Sequence, residues 1–224
     1  METTAKKSSR KPSAKASDKI RSAYIDFLLE NGKRPASVFK FASDIGIKEE
    51  EFYDQFGSFD GLEKSIWNAF LLTTLDRLNS DKSFASFTTR EKLLAFYYTF
   101  FEELKSNRSF ILVQLENRRK LDILPEFLKD FRKSFQNFVE AVLKTGKANG
   151  EIASRPYLDK TYPELFWMHM GFMLFFWRDD NSAGFQNTDA AIEKSVNLAF
   201  DLIEKGAVDS AFDFAKFMYQ TKAN

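Results

Sequence analysis

The chain has 224 residues, no cysteine, 26 phenylalanines and a formal net charge of +1. The lack of thiols excludes disulfides, thiolate metal sites and a cysteine nucleophile. Nine glycines and five prolines are too few for the tight turns of an all-β protein. The near-neutral total conceals two opposed segments: residues 1–21 hold seven bases and two acids, net +5, whereas residues 44–63 hold one base and seven acids, net −6.

Residues 1–17 are rich in Lys, Ser and Ala with almost nothing apolar, and are expected to form a disordered basic tail. No apolar stretch follows these bases, so no secretory leader is expected and the chain is assigned to the cytoplasm. From Asp18 the pattern changes. Ile20, Ala23, Tyr24, Phe27 and Leu28 share one helical face that ends at Asn31-Gly32. Ser37 can cap a second, short helix to about Ile45, Gly46 supplies a turn, and a third short helix covers Lys48 to Gln55. Ser58 caps a fourth helix, with Leu62, Ile66, Ala69 and Phe70 facing inward.

Beyond residue 80 the helices lengthen. Leu93, Phe96, Tyr97, Phe100, Phe101 and Leu104 form one stripe, and Arg108 to Leu121 a further helix. Pro125 suits the first turn of the next, which carries Phe127, Phe131, Phe135, Phe138 and Val142 and closes at Gly146 and Gly150. Tyr157 to Pro163 reads as a loop before an apolar helix, Glu164–Trp177. At well under the ~20 residues a bilayer span requires, that helix belongs in a core, and no membrane span is expected. After a turn at Gly184–Asn187, Ile192, Val196, Ala199, Phe200 and Ile203 make another stripe, stopped at Gly206. A last helix covers Asp209 to Tyr219. No alternating strand pattern occurs.

Helix, short helix, glycine turn, short helix is the order of a helix-turn-helix unit. Within it stand Phe41-Ala42-Ser43-Asp44-Ile45-Gly46-Ile47, then Phe52-Tyr53-Asp54-Gln55-Phe56-Gly57-Ser58 and Leu62. This stretch resembles the DNA-binding signature of the TetR family of one-component regulators, with Ala42, Gly46, Ile47, Tyr53, Phe56 and Leu62 at the matching scaffold places over roughly residues 18–70. The helical remainder resembles that family's ligand-binding and dimerisation domain in architecture. The resemblance implies an all-α, TetR-like fold: a helix-turn-helix domain at 18–65 and a larger helical domain at 66–224. It also implies a homodimer paired through the last two long apolar helices, an operator-binding surface on the third helix and a non-enzymatic role.

The matching DNA-facing positions depart from the family pattern. Lys48 stands where family members carry Ser or Thr. Glu49, Glu50 and Glu51 replace small, polar or basic residues, Gln55 replaces His, and Phe59 replaces a phosphate-binding Lys. The candidate DNA contacts are therefore Lys48, Glu49, Glu51, Tyr53 and Gln55, of which Tyr53 alone keeps the family's chemistry. Duplex affinity comes mainly from bases that neutralise phosphates, which an acidic helix opposes. Carboxylates in a first helical turn also stabilise that turn through the dipole.

His169 is the only histidine, so no His- or Cys-based metal site and no Ser-His-Asp catalysis with a glycine elbow is expected, nor is a cofactor. A hydrogen-bonded core or pocket role suits it better. The many rings are either core or the walls of an apolar cavity, for which Phe100, Phe101, Phe135, Phe138, His169, Phe172 and Trp177 are candidates. Two readings stay open: a regulator that senses an apolar small molecule, with weakened or lost operator binding, and a TetR-fold accessory protein that binds a lipid or quinone-like molecule, serves another protein and does not bind DNA.

Overall fold

The computed structural model describes residues 14–115, 125–155 and 158–203, and among them every regular element is helical. Nine α-helices run in order: α1 Ala14–Asn31, α2 Val38–Asp44, α3 Glu49–Tyr53, α4 Phe59–Ser80, α5 Thr89–Lys105, α6 Arg108–Leu115, α7 Lys129–Ala148, α8 Tyr162–Asp179 and α9 Gln186–Ile203. Helix α1 begins four residues before the expected Asp18, so the last residues of the expected tail are already helical. Tyr162 and Pro163, expected in a loop, form the first turn of α8, where a proline ring costs no hydrogen bond. Phe127 lies in a 3₁₀ turn, Glu126–Leu128, ahead of α7 rather than in α7 itself. The expected tail at 1–13, the continuation of α6 to Leu121, the stop at Gly206 and the helix Asp209 to Tyr219 lie outside the described residues.

The small domain is built on rings. Tyr24, Phe41, Phe52 and Phe59 meet at centroid distances of 5.5 to 6.2 Å. Phe59, at the position of a surface base in the resemblance, belongs to this cluster. Ser37 caps α2 through the Lys40 amide, and Ser58 caps α4 through the Gly61 amide. Gly46 turns the chain between α2 and α3 at φ +69, a conformation that strains residues bearing a Cβ.

Helix α4 continues from this domain into the larger one over 22 residues, about 33 Å, so the expected boundary after residue 65 falls inside a continuous helix. Its first two turns seat Leu62 and Ile66; from Trp67 onward it seats Trp67, Phe70, Leu71 and Leu78 in the larger core. Next to Leu62, Glu63 is 2% exposed. Its carboxylate accepts from the Tyr24 hydroxyl at 2.5 Å, from Arg34 Nε at 2.9 Å and Nη2, and from Gln114 Nε2 of α6 at 3.2 Å. Burial, and then this carboxylate, push the Tyr24 hydroxyl far up, so it remains a donor. Four donors from α1, the α1–α2 turn and α6 thus converge on one buried charge.

In the larger domain Phe96, Phe100, Phe131 and Phe135 stack at 5.1 to 6.1 Å, joining α5 to α7. Trp167 of α8 packs on Phe131 and Phe135. The end of α8 is closed by Arg108. Its guanidinium lies 4.4 Å from the ring centres of both Trp177 and Phe185 and donates to the carbonyls of Trp177, Arg178 and Asp180.

Removing the Glu63 carboxylate strands a buried hydroxyl and takes from Arg34 one of its two carboxylates, the other being Asp60 at 2.7 Å. Glu63→Ala is expected to lower unfolding stability by about 2–4 kcal/mol, and Glu63→Gln by less because the amide oxygen still accepts. Urea unfolding of the three proteins checks the order.

Candidate functional site

Helix α3 is short, and its position is fixed by Phe52, which is fully buried against Phe41 and Phe59. Lys48 occupies the N-cap position in extended backbone and makes no side-chain cap bond. Glu49, Glu50 and Glu51 fill the first turn, with Glu50 and Glu51 exposed and Glu49 half-buried. Tyr53 is half exposed, Gln55 is half-buried, and Phe39 of α2, which the sequence pattern had not singled out, is 68% exposed. The outer surface of this unit is therefore acidic, with two aromatic side chains open to solvent.

The proposed cavity residues separate. Phe100, Phe101, Phe135 and Trp177 are buried and spend their faces on one another and on Phe96 and Phe131. Phe138 is half-buried and stacks on Phe96 at 4.7 Å. Phe172 points the other way and is 55% exposed on the outer side of α8. Only His169 of the seven lines the apolar cavity between α8 and α9, about 260 Å³, whose other walls are Leu158, Tyr162, Leu165, Phe166, Ala199, Leu202 and Ile203. Helical spacing identified which positions are apolar. It did not distinguish the inner face of α8 from its outer face, because both carry large hydrophobic residues.

His169 joins three helices. Nδ1 lies 2.7 Å from the Tyr97 hydroxyl of α5, and Nε2 lies 2.7 Å from Ser195 Oγ of α9. The Ser195 hydroxyl also reaches the Ala191 carbonyl at 2.5 Å, which takes its proton. Nε2 then donates to Ser195, and Nδ1 accepts from Tyr97, whose hydroxyl burial pushes well up. The imidazole is neutral, and burial lowers its pKa to about 4. Both nitrogens are engaged within the protein, so His169 contributes a ring wall to the cavity rather than a free polar handle.

The outward side of α8 and α9 carries Leu165, Met168 and Phe172 at i, i+3 and i+7, with Leu198 and Leu202 beside them, each about half exposed. Among the described residues no helix is long and apolar enough to cross a membrane.

A family profile described as the tetracyclin repressor-like C-terminal domain matches residues 92–218. The chain belongs to the TetR family. Members are transcriptional regulators and not enzymes. The fatty acid metabolism regulator protein of Bacillus subtilis (strain 168) is 25% identical over 134 residues, 59% of this chain and 69% of that protein. Among solved structures, the fatty acid degradation regulator FadR from Bacillus halodurans superposes with a TM-score of 0.59 at 18% identity, covering 84% of this chain and 96% of that one. A putative TetR-family transcriptional regulator from Rhodococcus sp. gives 0.57 at 14% identity over 84% and 100%. These likenesses establish the all-α fold that the sequence implied.

The depressed His169 pKa has a defined sign. The unfolded chain takes up the proton near pH 6.5 and the folded chain near 4. Stability is therefore full above about pH 6.5, falls as pH drops toward 4, and levels off below that. The loss between pH 7.5 and 4.5 is expected to be about 2 kcal/mol. It should vanish from the difference in His169→Gln, measured by urea unfolding at both pH values.

Proposed function

We propose that this TetR-family protein acts in the cytoplasm as a homodimeric regulator. In this reading its larger domain senses an apolar small molecule and its operator contact is weak or lost. The observation that carries the reading is the half-exposed apolar face of α8 and α9. A face of this kind, made of leucine, methionine and phenylalanine on two adjacent helices, is costly to leave in water and suits a self-complementary two-fold interface. The relatives named for fatty acid metabolism and degradation favour an effector of fatty-acid chemistry, consistent with an apolar cavity lined by leucine and aromatic residues.

The acidic α3 supports the second half of the proposal. Glu50, Glu51 and Asp54 present like charge to a phosphate backbone, and among the candidate contacts Lys48 alone carries a positive charge, with Tyr53 and Gln55 as neutral donors. The same surface favours the alternative reading, a TetR-fold lipid- or quinone-binding accessory protein that does not touch DNA.

Two experiments test these readings. Phe172→Asp and Leu198→Asp are expected to turn a dimer into a monomer in sedimentation at micromolar concentration; a monomeric parent protein would sink the assembly. In mobility-shift titrations against the upstream region of the protein's own gene, the unmodified protein is expected to bind weakly and with steep salt dependence, or not at all. Lysines at Glu49, Glu50 and Glu51 together should produce binding, each steepening the salt slope by about 0.9. Tight, sequence-specific binding by the unmodified protein at physiological salt would overturn the weakened-operator reading. Complete absence of binding, gained only on the triple change, favours the accessory protein.

A further inference from the structure

The apolar cavity and the apolar outer face share residues. Leu165 and Leu202 line the cavity and are also about half exposed on the face that carries Met168, Phe172 and Leu198. The cavity therefore opens at the seam between α8 and α9, on the side where pairing is proposed. It lies apart from the Phe96, Phe100, Phe131 and Phe135 stack, where the rings fill the interior themselves.

Its walls specify the occupant. Leu158, Leu165, Phe166 and Leu202 offer carbon alone. The two polar side chains of the wall are already engaged: Tyr162 accepts from buried Arg155 at 3.2 Å, and both His169 nitrogens are held by Tyr97 and Ser195. Beyond the Tyr162 hydroxyl proton these walls offer a head group little to bond to, whereas a hydrocarbon chain needs no partner. The space of about 260 Å³ is walled almost wholly by apolar side chains.

We propose that this cavity is an alkyl-chain site closed by the second copy of the protein. The chain enters between Leu165 and Leu202 and lies against Phe166 and the His169 ring, with its head group left at the rim. Pairing through α8 and α9 then covers the mouth. This rests on the dimer proposed above and goes beyond it, because ligand occupancy and pairing become one linked equilibrium: a chain that fills the seam tightens the dimer, and the dimer tightens the chain by the same factor.

The test uses the full chain with octanoate and decanoate as probes, by calorimetry and by sedimentation. Each buried methylene should strengthen binding about fourfold, so decanoate should bind about 15-fold more tightly than octanoate and shift the dimer to lower protein concentration. Ala199→Phe places a ring in the cavity and should weaken decanoate at least tenfold, with Ala199→Leu intermediate; thermal unfolding confirms that both variants fold. The monomeric Leu198→Asp should bind decanoate more weakly than the dimer. Equal binding by the parent and Ala199→Phe puts the chain elsewhere, overturning this site while leaving the sensor reading intact. Equal binding by dimer and monomer overturns closure by the partner. Failure of both acids to bind an intact dimer overturns the site without touching the assembly.

Discussion

A carboxylate buried to the extent of Glu63 survives only where donors reach it from several directions at once. Here they come from Tyr24 of α1, Arg34 of the α1–α2 turn and Gln114 of α6. Because Glu63 lies on α4, which runs unbroken through both domains, the network fixes the angle at which the helix-turn-helix unit meets the larger domain. Its neighbour Lys64 adds an exposed tie to Glu126 at 2.6 Å, which contributes less because solvent screens it. The rest of the small domain hangs from this joint. With α1 and α4 held, Phe59 completes the ring cluster around Phe41 and Phe52, and the cluster sets where α3 points its acids.

The larger domain answers a different constraint. Rings on α5, α7 and α8 bury large areas in offset and edge-on contacts, so the centre of the domain is shared among side chains. The α8–α9 seam has fewer such partners. His169 spends its two nitrogens holding α5, α8 and α9 together, and the space next to it is walled by leucines that no other helix among the described residues covers. The core is consolidated where aromatic residues alternate between facing helices and remains open where small Ala199, beside Leu202 on α9, lines the cavity with Leu165 of α8.

Much was legible in the sequence. The 3.6-residue periodicities of α1, α4, α5, α7 and α9, the caps Ser37 and Ser58 and the Gly46 turn are local properties, governed by each residue and its neighbours within a turn or two. The acidity of α3 is likewise a fact of composition at consecutive positions, and so is the absence of a second histidine beside His169. The TetR-like architecture was implied by the resemblance of Ala42, Gly46, Ile47, Tyr53, Phe56 and Leu62 to that family's signature, and not by these local patterns.

What the tertiary structure alone decided is partnership. No spacing rule reveals that Glu63, on an otherwise apolar face, meets Arg34 and Gln114, which lie 29 and 51 residues away. The candidate cavity residues show the same limit: Phe100, Phe135 and Phe172 are equivalent by periodicity, yet two fill the interior and one faces outward, because α8 is apolar on both sides and only its neighbours determine which side is inside. The sequence determined which residues are apolar and which helices form; the packing of those helices against one another determined where the space between them lies.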